Sequence, residues 1–99
     1  MKPSINVVIK LPGMKPERMN VENSLRALQK IVDGHIEVVQ IFEDVLVICN
    51  EEGRINGMKF NCNILGAQFF GPVIICGTSG AEFEDAPEGA EQWIWKGGK

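Results

Sequence analysis

The stretch that decides the fold class is residues 36–49, IEVVQIFEDVLVIC, in a chain of 99 residues. From Ile36 to Phe42 the side chains alternate between two faces, and Glu43-Asp44 separates this segment from the apolar run Val45–Cys49. Alternation with a period of two is typical of a β-strand, and two strands joined by two turn residues form a hairpin. Residues 36–49 therefore predict an antiparallel β-hairpin.

The residues before the hairpin predict a strand followed by a helix. Ile5–Leu11 is rich in β-branched residues and ends at Pro12-Gly13, which is typical of a strand that runs into a turn. The loop Pro12–Arg18 is expected to cross over to a helix at Val21–Asp33, with Asn20 as its N-cap. Apolar residues recur there at helical spacing: Val21, Leu25, Leu28, Ile31 and Val32. This spacing predicts an amphipathic helix with one buried face.

The residues after the hairpin predict one more strand. Asn50–Gly53 is a turn sequence, and Arg54–Ile64 is mixed enough that a short strand, a 3₁₀ turn and a loop all remain open. Val73–Gly77 is apolar and predicts a last strand, which ends in the turn residues Gly77–Gly80. The predicted order is β-α-β-β-β, an α+β fold in which one helix packs on a mainly antiparallel sheet. We expect one domain over residues 1–99.

One helix leaves the other face of such a sheet poorly covered. The acidic tail, residues 81–99, contains two tryptophans and is expected to act as a lid over the sheet or to form a short docked helix. The large aromatic side chains either fold over the open face or contact a partner: Phe69, Phe70, Trp93 and Trp95. A homodimer or a higher homo-oligomer is the simplest form of the second alternative.

Composition excludes several classes of protein. At 10.9 kDa, with 44% hydrophobic and 23% charged residues, the chain matches a small soluble globular domain and is too short for a multi-domain enzyme. The longest aliphatic run, Val45–Cys49, is far shorter than the ~20 residues of a membrane-spanning helix, and no leader opens the chain. We therefore expect a cytoplasmic protein with no membrane contact. A net charge of -3 argues against nucleic acid as the partner.

The charges are unevenly distributed. Residues 1–30 hold six basic and two acidic side chains (+4), whereas residues 31–99 hold four basic and eleven acidic ones (-7). Solvated faces that keep the protein soluble are the ordinary interpretation of both groups. Lys15 and Arg18, in the loop expected to enter the helix, could hold an anion at the helix N-terminus, although a plain connecting loop is the alternative.

No catalytic set is visible. Three cysteines without C-x-x-C spacing predict neither a disulfide framework nor a zinc site, and only Cys62, between two asparagines, is a candidate reactive thiol. His35 is the single histidine, and the adjacent Glu51 and Glu52 would point to opposite faces of an extended segment. We therefore predict a protein that is not an enzyme and has no cofactor and no metal site.

Four segments resemble one family of small uncharacterised domains encoded by bacteriophages, plasmids and other mobile elements of bacteria. They are VVIKLPGMKP (7–16), LRALQKIVDGHIE (25–37), ICNEEGR (48–54) and NGMKFN (56–61), and the most specific is Cys-Asn-Glu-Glu-Gly at 49–53. The resemblance covers residues 5 to about 78. Two positions depart from the family pattern, since His35 replaces an aromatic residue and Cys62 replaces an arginine. That second departure puts any anion-binding role of the arginine in doubt.

The resemblance implies a short accessory protein of a phage or mobile element and no particular activity. Its recurrent polar positions become candidate ligand-binding residues alongside Lys15 and Arg18: His35, Glu37, Asn50, Glu51, Glu52 and Asn61. Small size and the missing catalytic set favour a non-enzymatic binder that counters bacterial immunity by sequestering a nucleotide-derived signal. This hypothesis expects Lys15, Arg18, Asn50 and Asn61 to converge on one pocket, with a dimer interface as the favoured place for it.

Two other functions remain open. A protein–protein inhibitor or regulatory subunit would bind a bacterial host protein through an acidic patch or through Trp93 and Trp95. A metal-dependent nucleotide hydrolase would need at least two of Glu37, Glu51 and Glu52 on one face, within reach of a shared divalent ion.

Overall fold

The computed structural model describes residues 2–95, which form two antiparallel sheets and one helix. The elements are β1 (Ser4–Lys10), β2 (Glu17–Glu22), α1 (Leu25–Val32), β3 (Ile36–Phe42), β4 (Val45–Asn50), β5 (Phe60–Ile64), β6 (Ala67–Phe70), β7 (Val73–Ser79), β8 (Glu82–Glu84), a 3₁₀ turn (Ala90–Trp93) and β9 (Ile94–Trp95). A six-stranded sheet has the order β2-β1-β7-β4-β3, with β8 paired to β7, and a three-stranded sheet has the order β6-β5-β9.

The predicted hairpin and the mainly antiparallel sheet with one helix are confirmed. Strands β3 and β4 pair from Ile36↔Asn50 to Phe42↔Val45, with a bulge between Gln40 and Phe42. Every residue of β4 is buried, because β4 lies between β3 and β7 and is covered on both faces. A strand covered on both faces needs no polar side, which explains the uninterrupted apolar run.

The predicted order β-α-β-β-β is wrong. Residues 17–22 form a strand that pairs with β1 from Ser4↔Glu22 to Ile9↔Glu17. Residues 12–16 therefore lie in the loop of a β-hairpin and do not lead into a helix. The helix begins at Leu25, where the Ser24 hydroxyl accepts the Ala27 N–H at 3.1 Å. Asn20, expected as the N-cap of the helix, instead lies in β2 and pairs with Asn6 of β1. The backbone hydrogen bonds of Asn20 are satisfied by the neighbouring strand and not by a helix.

The six-stranded sheet is packed on both faces. One face carries α1, and its cluster consists of Ile5, Val7, Ile9, Leu28, Val32, Leu46, Ile48, Ile74 and Cys76. The opposite face carries the three-stranded sheet and the 3₁₀ turn, and its cluster consists of Val8, Val45, Val47, Cys49, Cys62, Ile64, Phe69, Val73, Ile75, Ala86 and Ala90. Alternate residues of β1, β4 and β7 contribute to the two clusters, as the period of a strand requires.

The face expected to be poorly covered is thus covered within the chain. Phe69 is buried there, and Trp93 packs against the same cluster and meets the Phe42 ring edge-on at 5.2 Å between centroids. The acidic tail includes β8, the 3₁₀ turn and β9, which pairs with β5 at Asn63↔Trp95. Residues 96–99 of that predicted tail lie outside the described residues. None of the helices in the described part of the chain is long and apolar enough to cross a membrane.

Candidate functional site

The most specific motif, Cys-Asn-Glu-Glu-Gly, is built around Asn50, which is buried. The Asn50 side-chain amide donates to the carbonyls of Val32 and Asp33 at 3.1 and 3.0 Å, and its oxygen accepts the Glu52 N–H at 2.7 Å. Asn50 therefore ties the C-terminal end of α1 to the turn after β4. A Cβ atom on Gly34 would lie 2.6 Å from the Asn50 amide nitrogen, so only glycine fits beside it. All the hydrogen bonds described for the Asn50 side chain serve the fold.

The other polar residues of the motif region are exposed. The side chains of His35, Glu37, Glu51 and Glu52 reach solvent, and the Glu51 N–H donates to the His35 carbonyl at 2.8 Å. Within residues 2–95 no group of three or more histidine, cysteine, aspartate or glutamate residues is placed to hold a metal ion.

Asn61 lies in a buried network between the two sheets. Its amide nitrogen donates to the carbonyls of Lys10 and Gly71, both at 2.7 Å, and its oxygen accepts the Lys10 ammonium at 3.0 Å. The same ammonium donates to the Leu11 carbonyl at 2.8 Å, and the Lys10 side chain is 1% exposed. Asn61 joins the end of β1 to β5 and has the contacts of a structural residue.

Arg18 is occupied in a different place. Its guanidinium donates to the carbonyls of Ala86 and Pro87 at 3.2 and 2.7 Å and binds both carboxylate oxygens of Glu91 at 3.2 Å. Lys15 lies exposed in the β1–β2 turn, not at the start of the helix. The anion site predicted at the helix N-terminus is therefore wrong, because the loop that carries these residues does not lead into α1. No pocket described for residues 2–95 is lined by more than one of Lys15, Arg18, Asn50 and Asn61.

The basic N-terminal residues and the acidic tail neutralise each other in part. Asp85 accepts the Asn6 N–H at 2.8 Å and the Lys2 ammonium at 3.0 Å, and these contacts hold the pKa of its carboxyl below the usual range. The Arg18 guanidinium does the same for the pKa of Glu91. The uneven charge distribution thus fastens residues 85–91 to the β1–β2 hairpin.

The three cysteines are buried and behave as apolar core residues. Burial raises the pKa of the Cys49 and Cys62 thiols to about 11 and that of Cys76 to about 12. A thiol with so high a pKa has almost no thiolate near neutral pH, and the thiolate is the nucleophile. The interpretation of Cys62 as a reactive thiol is therefore wrong, since its side chain points into the core although both its neighbours are asparagines.

A second polar surface among the described residues is the outer face of the three-stranded sheet, which the sequence patterns did not indicate. Phe60 pairs with Phe70 and Asn63 with Gln68, so all four side chains lie on the face away from the core. The Phe60 and Phe70 rings meet edge-on at 5.5 Å, and the Arg54 guanidinium lies over the Phe70 ring at 5.2 Å. We call this surface the outer face, defined by Arg54, Phe60, Asn63, Gln68 and Phe70.

The outer face borders an open depression of about 780 Å³. Arg54, Asn63 and Gln68 line it, together with Leu65, Gly66 and Trp93. The side-chain amides of Asn63 and Gln68 make no hydrogen bond to any other described residue, so both are available to a ligand.

The groups of the outer face have complementary chemistry. An amide both donates and accepts and can pair with the edge of a nucleobase, aromatic rings stack on bases, and a guanidinium binds phosphate in a bidentate manner. The signal in the sequence was the alternation within 60–70, which a bulge between Phe60 and Cys62 interrupts. That interruption shifts the polar positions by one residue and hides the common face.

Three comparisons with known proteins bear on the chain. A protein-family model described as "Domain of unknown function (DUF3846)" matches residues 5–96. No curated protein and no solved structure matches the chain.

Proposed function

Since the chain belongs to the DUF3846 family, whose function is unknown, we propose that it is a small non-enzymatic binder that sequesters a nucleotide-derived anion. The outer face carries this proposal, because it joins an exposed cation, two aromatic rings that meet edge-on and two available amides beside one depression. In this proposal Arg54 binds a phosphate group, Phe60 supports a base, and Asn63 and Gln68 pair with its edge.

The biological setting in this proposal is an accessory protein of a phage or mobile element that counters bacterial immunity. The resemblance of residues 48–54 and 56–61 to a family from such elements supports it. A sequestering protein needs affinity and abundance and no catalytic group, which agrees with the chemistry of the outer face.

Native mass spectrometry of the full chain tests the proposal. The protein is mixed with a panel of linear nucleotides, cyclic mono- and dinucleotides and cyclised derivatives of NAD. We expect one class of these compounds to give a stoichiometric mass shift, and we expect the shift to survive desalting. Loss of a charged, bidentate contact in Arg54→Ala should weaken binding by about tenfold or more.

Arg26→Ala is the matched control. Arg26 is exposed on α1, on the opposite side of the six-stranded sheet, and its removal changes the net charge by the same amount. Unchanged binding by Arg26→Ala and weakened binding by Arg54→Ala would support the outer face. No mass shift with any compound, or equal losses in both variants, would contradict the proposal.

A second candidate function, contact with a bacterial host protein, is favoured by one observation. Ile55 is 84% exposed in the turn beside Arg54, and Leu65 is 54% exposed at the rim of the same depression. Large exposed apolar side chains beside a polar surface are common at protein interfaces. Ile55→Asn removes the apolar side chain without adding a charge beside Arg54, so it should abolish a protein contact and leave nucleotide binding intact. Capture of a host protein by the wild type and by this variant therefore separates the two functions.

A further inference from the structure

Among residues 2–95, strand β3 is an edge of the six-stranded sheet, and it carries a single charged side chain. It pairs with β4 on one side and is the last strand in the order on the other. Among the described residues of β3 only Glu37 is charged, and Val38 is 43% exposed. A strand edge of this kind presents unpaired N–H and C=O groups to any further strand.

The opposite edge, β2, is protected. Three of its six residues are charged, and one of them, Arg18, holds the segment that contains Ala86 and Glu91. Charged side chains on an edge strand are a common means of preventing further pairing. The contrast between the two edges shows that β3 lacks a protection that the same sheet has elsewhere.

We propose that β3 pairs with β3 of a second copy of this chain, antiparallel and across a two-fold axis at Val38. The bulge after Gln40 limits regular pairing to residues 36–40. In this register Val38 faces Val38 of the other copy, and Ile36 faces Gln40. An isologous contact of this kind closes on itself and yields a dimer, not a fibre.

The register suits a second copy as the occupant, because residues 36–40 hold a single charge and place it opposite an apolar residue. Glu37 lies opposite Val39 in this register, so the two Glu37 carboxylates are not directly opposed, which would destabilise the pair. The dimer makes one continuous sheet of the two six-stranded sheets and keeps both α1 helices on the same face. It leaves the outer face, on the three-stranded sheet, free for ligand in both copies.

Sedimentation equilibrium of the full chain from about 10 µM to about 1 mM tests the dimer, because a small interface associates in that range. We expect the mean mass of the wild type to rise from 10.9 kDa towards twice that value. Val38→Lys places two like charges at the axis and should weaken association by about tenfold or more. Met19→Lys, the same change at an exposed position of the other edge, should associate as the wild type does.

Two outcomes would overturn the pairing. One is a mass of 10.9 kDa at all concentrations, and the other is equal association of the wild type and Val38→Lys. If Val38→Lys fails to fold by circular dichroism, hydrogen exchange of the wild type decides the matter. The amides of residues 36–40 must then gain protection as the concentration rises, and unchanged protection there rejects the dimer.

Discussion

Replacement of Asn61 by leucine removes the polar group that joins β1 to β5. The side chain is 5% exposed, and its three hydrogen bonds reach the carbonyls of Lys10 and Gly71 and the Lys10 ammonium. Leucine has the same branched shape and the same number of side-chain heavy atoms, so the change tests mainly hydrogen bonding, with a smaller contribution from its bulkier methyl groups. Two buried carbonyls lose a donor, and a buried ammonium loses an acceptor.

The size of the effect follows from these contacts. Each buried group that loses a hydrogen bond here costs about 1 to 3 kcal/mol. The Lys10 ammonium keeps its hydrogen bond to the Leu11 carbonyl, so its share lies within that range. Allowing for relaxation and for the apolar surface gained, we expect Asn61→Leu to lower the free energy of unfolding by about 3 to 5 kcal/mol. A domain of this size is stable by about 5 to 15 kcal/mol, so the variant should fold but melt about 15 °C or more below the wild type.

Urea unfolding followed by circular dichroism measures the difference directly. Asn63→Leu is the control on the same strand, because the Asn63 amide faces outward and binds no other described residue. That variant should lie within about 0.5 kcal/mol of the wild type. A loss below about 1 kcal/mol in Asn61→Leu would refute the structural role assigned to this network.

Three further predictions concern the turn after β4, the cysteines and the acidic tail. Gly53→Ala should destabilise the fold by at least about 1 kcal/mol in the same urea assay, because its Cβ would lie 2.7 Å from the Phe70 carbonyl oxygen. Thiol reagents at pH 8 should not label Cys62 in the native chain and should label it in denaturant, because burial raises its pKa to about 11. The lowered pKa values of Asp85 and Glu91 contribute stability above the ordinary values of 3.8 and 4.5 that is lost as the pH falls through the folded values. Asp85→Asn combined with Glu91→Gln should therefore flatten the fall of the melting temperature below about pH 4, and an unchanged slope would count against these contacts.

Local patterns predicted the parts of the fold that local residues determine. The alternation in β3 and the apolar run of β4 are joined by two residues, so their pairing needs no distant partner. The helix was placed correctly at its centre but not at its start. Asn20 and Ser24 are both good N-caps, and the long-range pairing of β2 with β1 selects Ser24.

The second sheet could not be predicted because its strands are short and irregular. Strand β5 has five residues with a bulge, β6 has four, and β9 follows some thirty residues after β5. Asparagines on both sides of Cys62 also suggested a solvated stretch, although one of them, Asn61, is buried in a polar network. A polar side chain can be buried when residues from elsewhere in the chain form hydrogen bonds with it, and a local sequence pattern does not identify those residues.

The motif that carries the resemblance specifies the fold more than a ligand. Cys49 lies in the core, Asn50 joins the helix end to the turn, and Gly53 lets the Phe70 carbonyl approach. Asn61, in the second motif, joins the two sheets. Contacts within the chain explain each of these side chains and also the glycine at position 53. Under the proposed function, the ligand contacts must then come from residues that face outward, such as Arg54. Substitutions at those residues should change binding without changing stability.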